Sequence, residues 1–146
     1  MKKAVVLAAV VMFGGCGILP GDSPKDIRAV GVLVDAGHMP GDPLVVPDTV
    51  DAGVAFQATV TTMAPSSCWR ADGATVGVTG LTAEIVPYDL TTAGDVCPTI
   101  PIYPTHTVSV TFDQAGLATV RARGRQSDTG VDTPALVVIE KQVVVR

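Results

Sequence analysis

Reactive side chains are scarce in this 146-residue chain. Histidine occurs twice, as His38 and His106, and glutamate twice, as Glu84 and Glu140. No Gly-x-Ser-x-Gly or His-Glu-x-x-His pattern occurs. Those arrangements present a serine nucleophile on a tight turn, or two zinc-binding imidazoles on one helix face. The remaining carboxylates are aspartates. Asp35, Asp42, Asp51, Asp72 and Asp113 sit in turn-like stretches rich in Gly and Pro, where an aspartate side chain bonds its own backbone. These shortages argue against an enzyme. Ten Lys and Arg stand against fourteen Asp and Glu, a formal net charge of −4, and no basic run exists. Nothing here would neutralise a phosphate backbone, so nucleic acid is not an expected partner. Leu, Lys and Glu are few and no heptad or internal repeat is visible, which disfavours helices.

What is abundant is Val, Thr and Gly, the composition of strands and turns. The pattern is plainest between His106 and Arg125. Val108, Val110 and Phe112 alternate with Thr107, Ser109 and Thr111. After Asp113-Gln114-Ala115-Gly116, Ala118, Val120 and Ala122 alternate with Thr119, Arg121 and Arg123. This predicts two half-buried strands joined as a hairpin by a short Gly-containing loop. A ribbon with one apolar face needs a second sheet to cover it.

The first residues read as an export signal. Lys2-Lys3 precede an uninterrupted apolar run from Ala4 to Phe13, closed by Phe13-Gly14-Gly15-Cys16. This resembles the lipobox of bacterial lipoproteins, with Phe13 where the family usually has Leu. The resemblance implies cleavage after residue 15 and lipidation of Cys16, hence a membrane anchor through that residue. An ordinary secretory signal and a transmembrane anchor are the alternatives. The apolar stretch ends by Leu19, short of the roughly 20 residues a spanning helix needs. Removing Lys2 and Lys3 would take the charge from −4 to −6. Gly17, not being Asp, carries no inner-membrane retention signal by the family's sorting rule. That favours the outer membrane wherever two membranes are present.

With Cys16 assigned to lipid, Cys68 and Cys97 remain as one pair in an oxidising compartment. Linking them closes a loop of about 30 residues, worth roughly 3–4 kcal/mol in the chain-entropy model. A metal pair is the rival reading, but no CxxC or His-x-x-x-His spacing accompanies them.

The chain then divides into the signal (1–15), the lipidated cysteine with a Gly-, Pro- and Ser-rich tether (16–25), and a folded domain (26–146). Expected strands are Ile27–Val34 with Val30, Val32 and Val34 on one face, a short edge segment Leu44–Val46 stopped by Pro47, and Val54–Met63 with Val54 and Phe56 inward. Ala74–Val78 and Leu81–Val86 follow, then the hairpin, then Ala135–Arg146 with a bend near Glu140-Lys141. Ala64–Gly73, Pro87–Thr105 and Gly124–Pro134 read as loops, the second carrying four prolines.

Seven or eight short strands with regular turns predict an all-β fold, a single antiparallel β-sandwich. The Val54–Met63 strand and the segment with Phe112, Gly116 and Val120 resemble the Ig-like domains of bacterial surface and periplasmic proteins. The antibody-type marks are absent, since Cys68 lies in a loop and Ala118 stands where a corner tyrosine would. An Ig-like topology implies that the three long loops gather at one end. Cys68 and Cys97 would then come within disulfide range.

The functional expectation is a non-catalytic, lipid-anchored cell-envelope protein, a structural or interaction module whose partner is an envelope protein or polysaccharide. No cofactor is expected. The alternative is a ligand-binding or inhibitor lipoprotein using Trp69, Arg70, Tyr103 and Arg125, since Trp, Tyr and Arg anchor many binding patches. Trp69 packing on the disulfide is the plainer explanation of that group. Arg121, Arg123 and Arg125 share a face by their spacing, read as a solvated edge rather than a ligand stripe. A copper site from His38, Met39, Met63 and His106 is chemically conceivable, but the expected topology sets His38 and His106 at opposite ends. No metal is therefore assigned.

Overall fold

The computed structural model describes residues 25–34, 39–94, 96–126 and 136–146. Within them lie nine strands and no helix: β1 (Asp26–Val30), β2 (Leu44–Val45), β3 (Thr49–Val50), β4 (Phe56–Thr61), β5 (Arg70–Thr79), β6 (Thr82–Thr92), β7 (Thr105–Val110), β8 (Gly116–Arg125) and β9 (Leu136–Val145). One sheet runs β1-β6-β8-β9-β3 with β5 also on β6, and the other runs β2-β4-β7. Their inner faces share one core, in which Leu44, Ala58, Val60, Val110 and Phe112 from the smaller sheet and its extension meet Ile85, Ala118, Val120, Ala122 and Val143 from the larger. The described residues are all-β and two-layered, as the alternation predicts.

The expected hairpin does not form. β7 pairs with β4 in the small sheet, whereas β8 pairs with β6 and β9 in the large one. Residues 111–115 therefore carry the chain across the core, a step of about 10 Å between packed sheets. The alternation itself is obeyed on both sides of that crossing, with Val110, Phe112, Ala118, Val120 and Ala122 all buried. Gly116 ends the crossing at φ 149°, and a Cβ there would lie 2.7 Å from the Leu81 side chain, so both dihedral and space require glycine.

That crossing also explains why the sandwich is not wholly antiparallel. β6 runs to one end, β7 returns in the opposite sheet, and β8 sets off again in the direction of β6. The two therefore lie side by side in parallel, Thr82 opposite Thr119. β3 is likewise parallel to β9, in the stretch after Pro47 where no strand is expected.

β6 runs through Pro87, where the sequence suggests that a strand ends. The Pro87 carbonyl accepts from the Gly31 N–H at 2.9 Å. The missing Pro87 N–H faces that same edge, in the gap between the β8 partners ending at Ile85 and the β1 partners beginning at Tyr88. Proline is tolerated because no ladder bond is lost. Opposite it, β5 shifts register between Ala71 and Ala74, so Arg70–Gly73 is bulged strand rather than loop.

Two inward assignments change. Val54 is 56% exposed while Phe56 is 9%. Val54 still belongs to the turn begun at Asp51, whose carbonyl takes its N–H, so the strand phase starts two residues later. In the first segment Leu33, not Val30 or Val32, fills the core. After Val30 the chain leaves the β1 ladder and slips between Arg125 and Met63, with Val32 bridging both. A Cβ on Gly124 would meet Leu33 at 2.6 Å and the Gly31 carbonyl at 2.7 Å, so only glycine admits this close approach. β9 is one continuous strand, without the expected bend at Glu140-Lys141.

The two ends differ. One holds Lys25, residues 62–69, 93–94 and 96–104, and Arg125. The other holds the Gly80-Leu81 turn, residues 111–115 and Arg146.

Candidate functional site

At the first end Cys68 and Cys97 are disulfide-bonded, with Cα atoms 5.7 Å apart. The loops they join also trade backbone bonds between Ala64 and Ile102, at 2.9 and 3.0 Å. Trp69 and Arg125 come together in a crevice with Val32, Met63, Ala64, Pro65 and Asp89. Its volume is about 10 Å³, the space of roughly one water molecule, whereas ligand pockets hold roughly 300 Å³ or more. Arg125 is committed to the fold. Its Nε donates to the Val30 carbonyl at 2.6 Å, and its backbone bonds Gly31 and Leu33. Arg70 is exposed on the outer side, 4.0 Å from Asp26, and Tyr103 is 37% exposed. The four expected contact residues thus share an end but not a cavity.

The other two arginines of the stripe face solvent and are paired. Arg121 meets Glu140 at 2.6 Å and Arg123 meets Glu84 at 3.7 Å, all half-exposed. Beside them on the same sheet Arg28 stacks 3.7 Å over the Tyr88 ring and pairs with Asp72.

Beneath the disulfide end lies a polar cluster that the sequence reading did not assemble. Thr62, Asp89 and His106 are buried between the sheets. His106 Nδ1 lies 3.0 Å from the Gly73 carbonyl, which only accepts, so Nδ1 carries a hydrogen. His106 Nε2 lies 3.1 Å from both Asp89 Oδ1 and Thr62 Oγ1. The Thr62 hydroxyl also reaches Asp89 Oδ1 at 3.1 Å and the Pro104 carbonyl at 3.4 Å. Among the described residues no buried side-chain nitrogen or oxygen lacks a partner.

The signal for this cluster was strand phase. Asp89 continues the inward series Ala83, Ile85 and Pro87, and His106 precedes Val108 and Val110 by the same step. The presumed stop at Pro87 hid the first.

Chemically the cluster is a clasp. A nucleophile–base–orienter relay sets hydroxyl and carboxyl on opposite imidazole nitrogens. Here both lie at Nε2, and the side chains of His106 and Asp89 are 0% and 3% exposed. His106 is buried with its Nε2 against Asp89 and Thr62. Met39 is buried. The described residues contain no group of three His, Cys, Asp or Glu that could hold a metal ion. Cys16 and His38 lie outside the described residues.

The far end carries an open, polar cleft of about 290 Å³ lined by Val78, Gly80, Thr111, Asp113 and Gln114. Nothing in the sequence marked it, and it contains a single charged group. No protein-family model, curated protein or solved structure matches this chain.

Proposed function

We propose that this chain is a lipid-anchored protein of the bacterial cell envelope, a non-catalytic structural or interaction module on an Ig-like β-sandwich. The observation that carries the reading is the Cys68–Cys97 bond. Such bonds form and persist chiefly in oxidising compartments outside the cytosol, which supports export, and this one leaves Cys16 as the one cysteine available for acylation. The lipobox resemblance of Phe13-Gly14-Gly15-Cys16 agrees with it. The non-catalytic part rests on the sealed Thr62–Asp89–His106 cluster and on the water-sized crevice at Trp69. The Ig-like part is supported by the closing antiparallel β8–β9 pair and by β2-β4-β7 covering the larger sheet, while the parallel β6–β8 contact is a departure from that family. An inhibitor or ligand pocket at Trp69, Tyr103 and Arg125 draws no support from so small a crevice. By the family's sorting rule Gly17 favours the outer membrane wherever two membranes are present.

Growth with labelled palmitate tests the anchor. The wild type should be labelled and fractionate with the envelope, and Cys16→Ser should lose the label and be released. An unlabelled wild type, or equal labelling of Cys16→Ser, overturns the reading. Affinity capture from envelope extract then identifies the protein or polysaccharide partner.

A further inference from the structure

The disulfide end bears the two most exposed large apolar side chains of the described residues, Val96 and Ile100, with Tyr103 on the same loop. Val96 is 99% exposed, Ile100 61% and Tyr103 37%, all on the loop between β6 and β7. Exposed apolar groups gathered on one short loop, rather than scattered singly, are what a contact surface requires. The loop is stiff. Cys97 is bonded to Cys68, Pro98, Pro101 and Pro104 fix three φ angles, and Ile102 is bonded to Ala64. A rigid loop loses little entropy when it docks.

What covers it follows from where the chain joins the fold. The Lys25 carbonyl accepts from the Ala93 N–H at 2.9 Å, and Val96 is three residues beyond Ala93, at most about 11 Å away. Nine residues, Gly17 to Lys25, separate this point from Cys16, a reach of at most about 30 Å. An acyl group on Cys16 would therefore keep Val96 within about 40 Å of the bilayer, at the end of the domain that the tether joins. At such a short tether even a weak second contact becomes intramolecular and well populated.

We propose that this loop is a membrane contact: Val96 and Ile100 enter the headgroup–acyl boundary beside the lipid anchor, with Tyr103 at headgroup level. The inference rests on the lipoprotein reading above. Arg70 is matched by Asp26, so the contact is apolar and does not require anionic lipid. Interfacial burial of this kind scales with apolar area. The domain then stands with Arg146 and the cleft at Gly80 and Asp113 pointing away from the membrane.

The test uses the full chain, purified from membranes and reconstituted in phosphatidylcholine vesicles with brominated acyl chains. Val96→Trp and, separately, Ile100→Trp add an indole at exposed positions, and subtraction of the wild-type spectrum removes the Trp69 emission. Val144→Trp, at the far end, is the control. The expected result is a blue shift and loss of emission at 96 and 100, and an aqueous, unquenched signal at 144. An aqueous, unquenched signal at 96 and 100 in chains that float with the vesicles overturns the proposal, and would mean that the loop meets a protein instead. The mass of the Cys16 peptide judges the anchor separately. If it is unacylated, the lipoprotein reading fails, and the same quenching measured with excess vesicles still decides the loop: no quenching overturns it.

Discussion

A hydroxyl, a carboxyl and an imidazole buried between two sheets cost several kcal/mol unless each finds a partner. Thr62, Asp89 and His106 satisfy one another and draw in the Gly73 and Pro104 carbonyls. Asp89→Leu would leave the imidazole without its carboxyl partner and should cost about 3 kcal/mol or more. Thr62→Val should cost about 1–2 kcal/mol. Urea midpoints at unchanged m-value measure both. Equal, small effects would mean that the cluster is not a clasp. Gly124→Ala forces a methyl onto Leu33 and the Gly31 carbonyl and should cost about 1–3 kcal/mol as overpacking. At this scale much was legible. Ala118, Val120 and Ala122 were assigned inward from alternation alone, and they are fully buried. Asp89 was missed because Pro87 looked like the end of a strand, and whether a proline ends a strand depends on which neighbour faces its nitrogen.

Between elements the instructive pair is β7 and β8. Each follows a period of two, yet they face one another across the core instead of sharing a ladder. A peptide of residues 105–125 should therefore show no hairpin by circular dichroism or cross-strand nuclear Overhauser effects, since its natural partners, β4, β6 and β9, are absent. A stable hairpin in that peptide would contradict the sheet assignment. The approach to β2 is tied to β9 by Asp42, which accepts from Lys141 Nζ at 2.6 Å. That hydrogen bond holds the Asp42 carboxyl below the ordinary carboxylate value, against the opposing effect of burial and with help from the Leu44 N–H and the Lys141 charge. A lowered folded value means that the folded state favours the carboxylate. Its contribution is fully present above the ordinary value and is lost as pH falls through the lowered one. Carboxyl NMR titration should place the Asp42 inflection below the ordinary range, and Lys141→Met should move it back up. The outer pairs of Arg121 and Arg123 are half-exposed, so Arg121→Ala should change stability by less than about 1 kcal/mol.

For the molecule as a whole, the bond between Cys68 and Cys97 links the two loops that cap one end of the sandwich. Replacing both cysteines by serine should lower stability by about 3–4 kcal/mol through the freed unfolded chain, seen as a drop in Tm. An unchanged Tm would mean that the loop is held by its backbone bonds and prolines alone. The sequence by itself determined the all-β class, the inward faces of β4, β7 and β8 and the cysteine pair, because each follows from local spacing or simple counting. Only the tertiary structure decided which strands are neighbours: that β8 lies parallel to β6, that β3 joins β9, and that Thr62, Asp89 and His106 meet. A strand with one apolar face satisfies that face equally well beside its chain neighbour or across the core from it. The choice is made by packing among segments far apart in the chain, where local alternation carries no information.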